Sequence, residues 1–307
     1  MEELVPHLLC CYTKGHFGQR IISYLKKLFE GSRLNLTFYH LIEIPQSLLL
    51  PSRDYLKEIQ REEELEKFIK CERESFLKEL GEILEDLRKV MDLETTFIVE
   101  PVEGDKAEKV LQFVKGRDFT AIVMGKRGLG KLASIWAGSF SQKMLLYSFL
   151  PLWIVRNKVF NRNILVAFDL GERGLRVIDY ALKILSQLID YRVTFFHCLG
   201  LISKSPSYEG SLEDLLHYEI SPDLKEFLLR VQTLISKAKL PQEKINFKLT
   251  SSFLGAAPAI IREVKRGEFT TVVIGRRGRG GFPGLLLGSV SSKLISSLES
   301  EAIWIVP

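Results

Sequence analysis

One glycine pattern occurs twice in this chain, and it limits what the chain can fold into. Gly125, Gly128, Gly138 and Ser139 fall at the spacing G-x2-G-x9-G-S, and Gly275, Gly278, Gly288 and Ser289 repeat that spacing without a gap. Each copy follows a short apolar, mostly β-branched run, Ala121-Ile122-Val123-Met124 or Thr271-Val272-Val273-Ile274. A glycine-rich turn between a strand and a helix lets backbone N–H groups come close to an anion, because no Cβ intervenes. Two such turns on matching frameworks point to a duplicated nucleotide-binding domain.

The repeat extends well beyond the glycines. Asn163-Ile164-Leu165-Val166-Ala167-Phe168-Asp169 matches His7-Leu8-Leu9-Cys10-Cys11-Tyr12-Thr13. Thr194-Phe195-Phe196-His197 echoes Thr37-Phe38-Tyr39-His40, and Ile303-Trp304-Ile305-Val306 echoes Leu152-Trp153-Ile154-Val155. A period of roughly 150 residues is the size of a whole domain, not of a solenoid unit. The domains read as 1–157 and 160–307, and their short polar joint, Arg156 to Arg162, predicts two domains packed together.

Within each half, short apolar runs alternate with amphipathic stretches. This is the signature of a parallel α/β sheet whose strands are buried on both faces. In the second half, 175–188 and 223–238 carry helical spacing, and a further helix is expected from Ser289 to about Leu298 behind a Gly288-Ser289 cap. The stretch from Arg53 to Met91 departs from this pattern, being crowded with Glu, Lys and Arg. Its apolar residues Ile59, Phe68, Phe76, Leu80, Ile83, Leu87 and Val90 mark one face of a long amphipathic helix, with room for one break. A partner-binding or coiled-coil helix is the alternative, but the apolar spacing is too irregular for strict heptads.

Composition narrows the function classes. With 307 residues and 46% hydrophobic content the chain has ample core, and no apolar run reaches the ~18 residues of a transmembrane helix. Met1-Glu2-Glu3-Leu4 is acidic and unlike a signal peptide, so a cytoplasmic protein is the expectation. Cys10, Cys11, Cys71 and Cys198 show no C-x-x-C spacing and read as free thiols in a reducing compartment. His7, His16 and His217 form no ligand-spaced set, so no metal site is expected. The net charge of +5 is mild, and much of the local positive charge sits at the glycine turns, on Lys126, Arg127, Lys131, Arg276, Arg277 and Arg279. A nucleic-acid binder would carry a broad basic stripe with interleaved aromatics. A basic rim around a phosphate site accounts for these clusters more simply.

Two other phosphate motifs fail. Gly125 to Leu132 nearly spells a P-loop but ends on Leu132 where a hydroxyl should bind magnesium, and Gly281 replaces the lysine in the second copy. A dinucleotide fingerprint belongs after the first strand, where Asp169-Leu170-Gly171-Glu172-Arg173-Gly174 has the wrong glycine spacing.

Over essentially its whole length, the chain resembles the universal stress proteins in a tandem two-domain form. The first-strand motif ending in Asp169, the His-containing second strand, the glycine segment and the closing strand carry the likeness, together with Pro151 before Leu152. Ala302 stands where that proline would be in the second domain. The resemblance implies two open, Rossmann-like parallel sheets of strand order 3-2-1-4-5. In the ATP-binding branch of the family, the glycine segment wraps the triphosphate and ribose. It therefore implies ATP, with or without Mg2+, or another adenine nucleotide as ligand. It also implies an internal pseudo-dimer through the last strands, and leaves a homodimer open. In the second domain the contacts carry over to Ala167, Phe168, Asp169, Ile274, Gly275, Arg276, Gly278, Gly280, Gly288, Ser289, Val290 and Ser291. In the first they carry over to Gly125, Lys126, Gly128, Gly138, Ser139, Phe140 and Ser141.

Geometry points to the same place. In an open α/β sheet, ligands bind beyond the carboxyl ends of the strands where the strand order reverses, here between the first and fourth strands. Asp169 and Gly275 should face one crevice there. The helix from Ser289 should aim its N–H groups at phosphate, with Ser289 and Ser291 as hydroxyl donors. The two crevices are unequal, because Thr13 occupies the place of Asp169 and offers no carboxylate.

Each of these residues also has a plainer reading. The glycines could serve turns alone, Asp169 could cap the next helix, and His40 and His197 could be packed rather than lining the crevice. Trp153 and Trp304 read as core or interface aromatics. Three functions stay open: a nucleotide-binding regulatory module, a slow ATP hydrolase, and an interaction protein without nucleotide. No general base or metal carboxylate pair stands out beside the glycine turns.

Overall fold

The computed structural model describes residues 5–51, 53–125, 139–156, 160–199, 207–277 and 287–307. In chain order, the first half runs β1 (His7–Cys11), α1 (His16–Leu28), β2 (Arg33–Glu43), α2 (Gln46–Leu49), α3 (Tyr55–Arg88), β3 (Asp92–Val102), α4 (Lys106–Val114), β4 (Ala121–Gly125), α5 (Ser139–Tyr147) and β5 (Leu152–Val155). The second half runs β6 (Asn163–Ala167), α6 (Glu172–Leu185), β7 (Arg192–Leu199), β8 (Tyr208–Gly210), α7 (Leu212–Leu216), α8 (Pro222–Ala238), β9 (Ile245–Ser251), α9 (Ala256–Arg266), β10 (Thr271–Gly275), α10 (Ser289–Ser297) and β11 (Ala302–Val306).

All the described strands join one 11-stranded sheet of order β3-β2-β1-β4-β5-β11-β10-β6-β7-β9-β8. Each half has the order 3-2-1-4-5, and each is parallel throughout apart from β8. The halves meet where β5 and β11 pair antiparallel, with Trp153 opposite Trp304. β8 is an antiparallel edge strand on β9 with no counterpart among the described strands of the first half. Alternating residues of the central strands feed two cores. Helices α1, α3, α6 and α8 cover one face of the sheet and α4, α5, α9 and α10 the other. β1, β4, β5, β6, β10 and β11 are therefore buried on both sides and read as continuous apolar runs.

The seam between the halves is aromatic. Trp153 and Trp304 are fully buried and stack with centroids 4.1 Å apart and planes 5° off parallel. Each indole N–H donates across the seam, Trp304 to the Tyr24 hydroxyl of α1 and Trp153 to the Tyr180 hydroxyl of α6, both at 2.8 Å. Buried indoles need such acceptors, and here the opposite domain supplies both. Flanking the linker, Arg162 reaches Glu30 and the Lys27 carbonyl in the first half and Asp190 in the second.

The long charged stretch forms one continuous helix of 34 residues, about 51 Å long, rather than a broken one. Asp54 caps it, accepting from the Leu56 and Lys57 N–H groups. Only Phe76, Leu80, Leu84 and Leu87 are buried, all in its second half. Of the expected apolar face, Ile59 is exposed, while Phe68 and Ile83 are half-buried. Among the described residues, no helix is long and apolar enough to cross a membrane.

Candidate functional site

In the second domain the crevice lies beyond the C-terminal ends of β6 and β10, which pair directly as the first and fourth strands. β6 delivers buried Ala167 and Phe168 and then half-buried Asp169. His197, at the end of β7, faces the Phe168 carbonyl, with Nδ1 2.9 Å from that oxygen. A carbonyl only accepts, so Nδ1 carries the proton. Burial lowers the His197 pKa, while the Phe168 carbonyl and the Asp169 carboxylate pull it back up. The first domain repeats the contact, with His40 Nδ1 3.2 Å from the Tyr12 carbonyl and the ring again held neutral by burial. The matched histidines are thus packed residues that fix the end of each first strand.

A second doubled glycine pair, which sequence reasoning passed over, sets the shape of this turn. Gly15 and Gly171 are the N-caps of α1 and α6, with φ of 85° and 137°. Three residues on, Gly18 and Gly174 let each helix pack directly under the turn. A Cβ on Gly174 would lie 1.8 Å from the Asp169 carbonyl oxygen and 3.1 Å from its Oδ1, and one on Gly18 would lie 2.4 Å from the Thr13 carbonyl. The N-cap position of α6 therefore belongs to Gly171 and not to Asp169. The signal was present in the sequence as two G-x2-G spacings after matched first strands.

The far wall of the crevice comes from β10 and α10. Ile274 is buried at the end of β10, and Gly275 and Arg276 are half-buried. The glycine segment is pinned at both ends, because the Gly288 N–H donates to the Arg276 carbonyl at 2.9 Å and the Arg276 N–H donates to Val306. Gly288 is the N-cap of α10, as expected from the Gly288-Ser289 pair, and it caps through its backbone with no side-chain bond. Ser289 is exposed at the first helical position and half-buried Val290 packs into the core. Ser291 is buried, and its hydroxyl, expected to face a ligand, donates to the Gly275 carbonyl at 2.7 Å.

Arg276 also departs from expectation. Its guanidinium leaves the phosphate rim and donates to the Leu146 and Ser148 carbonyls at the C-terminal end of α5 in the other domain. Arg156, at the end of β5, does the reverse and donates to the Ile295 and Leu298 carbonyls at the end of α10. Burial brings the Arg156 pKa down to about 10, so it stays charged at neutral pH. A cation at a helix C-terminus meets the negative end of the helix dipole. Each glycine-segment helix is therefore held at its far end by an arginine from the opposite domain.

The first-domain crevice is built differently. Gly125 is half-buried at the end of β4, Ser139 is exposed at the start of α5, and Phe140 and Ser141 are half-buried. Thr13 is exposed in the place of Asp169. Behind it, Glu79 of α3 accepts from the Tyr12 hydroxyl at 2.8 Å and from the Gly15 N–H at 3.1 Å. A carboxylate already sits at that helix N-terminus. In the second domain Arg230 of α8 instead pairs with Glu172 at the start of α6. Lys126, Gly128, Gly138, Gly278 and Gly280 lie outside the described residues.

Comparison with known proteins fits this architecture. The family model described as "Universal stress protein family" matches residues 6–156 and again 161–303. A Thermus aquaticus protein described as "Universal stress protein in QAH/OAS sulfhydrylase 3'region" is 42% identical over 55 residues, which is 18% of this chain and 40% of that protein's length. A solved universal stress protein from Archaeoglobus fulgidus DSM 4304 superposes with TM-score 0.63 at 18% identity, covering 97% of both chains. A functionally unknown protein from Pseudomonas aeruginosa PAO1 superposes with TM-score 0.53 at 14% identity, covering 99% of this chain and 93% of its own. At these identities the two structures speak for the fold alone.

Proposed function

The chain belongs to the universal stress protein family, and on that premise we propose that it binds ATP or another adenine nucleotide in its second domain as a regulatory module. The observation that carries this reading is the crevice between β6 and β10. There half-buried Asp169 stands on one side, and on the other the N-terminal N–H groups of α10 open behind Gly288, which has no Cβ. A helix N-terminus with a glycine cap takes phosphate oxygens, and a carboxylate accepts from hydroxyl and amino groups of a nucleoside. These residues fit an anionic nucleotide. Bound ATP would bring the negative charge that the helix dipole stabilises. In the first domain the Glu79 carboxylate and the loss of the aspartate work against the same ligand.

Isothermal titration with ATP and magnesium tests the reading. Wild type should bind, and Gly278→Ala and Gly288→Ala should weaken binding by at least tenfold. Gly288 has φ −72°, which alanine also adopts, so Gly288→Ala adds no backbone strain, and an unchanged urea midpoint would assign its loss of binding to close approach of the ligand. No heat at tens of micromolar protein, or alanine variants that match wild type, would sink the proposal.

A further inference from the structure

The strands around the second-domain crevice do not end level. Ala167, the last residue of β6, is in register with Phe196, while β7 and β9 continue to Leu199 and Ser251. Those extra residues raise a wall about 10 Å high beside Asp169. The loop from Ser252 to Gly255 tops this wall. Phe253 is 91% exposed and Leu254 71%, a pair of large apolar side chains held out at the ligand end of the sheet. Gly255, at φ 85°, turns the chain into α9, and its N–H closes the loop on the Ser252 carbonyl. The Ser252 hydroxyl below them is buried and has no hydrogen-bond partner among the described residues.

The first domain has the same wall with opposite chemistry. β2 and β3 likewise overrun β1, ending at Glu43 and Val102. Glu43 pairs with Lys106, and Glu100 pairs with Lys109. Exposed Glu103 tops the wall beside Gly104, and Asp105 caps α4 while pairing with Lys143. In the second domain Thr250, Phe253, Leu254, Gly255, Ala256 and Ala259 stand at the corresponding places, without a charge. A rim of ion pairs gives a planar base no π face, whereas an uncharged aromatic rim does.

We propose that Phe253 is the base-contacting residue of the second-domain crevice, stacking on the heteroaromatic base of a nucleotide whose phosphates lie toward α10. This rests on the nucleotide reading of the same crevice. Two strand spacings separate β6 from β9, about 10 Å, a span that a nucleoside triphosphate bridges. Leu254 extends the apolar shelf.

The test compares binding of ATP and of inorganic tripolyphosphate to wild type, Phe253→Ala and Phe253→Tyr. Phe253→Ala should lose about tenfold in ATP affinity, with tripolyphosphate affinity and urea midpoint unchanged, and Phe253→Tyr should restore ATP binding. ATP binding to Phe253→Ala within twofold of wild type overturns the inference and leaves the nucleotide reading standing. Equal losses for ATP and tripolyphosphate overturn it too, since they would place Phe253 at the phosphates. Failure of wild type to bind ATP removes the nucleotide reading and this inference together.

Discussion

Gly174 shows how one missing Cβ shapes the crevice. With its Cβ position 1.8 Å from a backbone oxygen, Gly174→Ala must push α6 away from the Asp169 turn. Overpacking of this kind costs about 1–3 kcal/mol, so urea denaturation should show that loss, whereas Gly81→Ala, in open space on α3, should not be destabilising. The matched histidines give a pH signature. Burial holds His40 and His197 below the ordinary value of 6.5, so the unfolded chain binds protons that the folded chain does not. Stability should be full above about pH 6.5 and fall as pH drops toward the lowered folded values. His40→Gln with His197→Gln should flatten that slope in denaturation curves between pH 7 and pH 5, and an unchanged slope would contradict the assignment. The histidine echo was legible in the sequence, but its role was not. Only the fold sets each ring against a carbonyl from the neighbouring strand.

Helix α3 separates what a sequence pattern can say from what it cannot. The apolar stripe predicts a helix correctly, yet nothing in it tells which turns meet the sheet. The structure puts Leu80 in the core and leaves Ile59 38% exposed. Leu80→Ala should therefore cost about 2–5 kcal/mol, while Ile59→Ala should stay within about 0.5 kcal/mol, both read from urea midpoints. Comparable losses would show that the first half of the helix also packs. Arg276 shows the opposite limit. Its position beside Gly275 made a phosphate contact the natural reading, but the helix end it holds belongs to the other domain, more than a hundred residues away in sequence. Arg156→Met and Arg276→Met should each cost about 1–3 kcal/mol by leaving helix carbonyls unpaired. Arg276→Met should leave nucleotide affinity nearly unchanged, and a tenfold loss would return Arg276 to the phosphate rim.

At the scale of the molecule, the duplicated strands, their 3-2-1-4-5 order and the family were legible from the repeated motifs. Strand β8 was not, because it is three residues long and finds its place only against β9. The continuous sheet and the crossed Trp–Tyr bonds join both domains into one core. Urea unfolding should accordingly follow a single transition, and Tyr24→Phe should lower its midpoint by leaving the Trp304 N–H without an acceptor. Two separated transitions in wild type would show the halves to be independent. The two crevices lie at opposite ends of this sheet, because β5 and β11 run antiparallel, and they differ at the first-strand end, where one has Asp169 and the other has Thr13 with Glu79 behind it. If the second domain alone takes a nucleotide, as proposed, the chain has one such site. Equilibrium dialysis with radiolabelled ATP counts it directly. One ATP per chain is expected, bound at least tenfold more weakly in Asp169→Ala and unchanged in Thr13→Ala. Two equivalent ATP molecules per chain, or one that survives Asp169→Ala at full affinity, would contradict it.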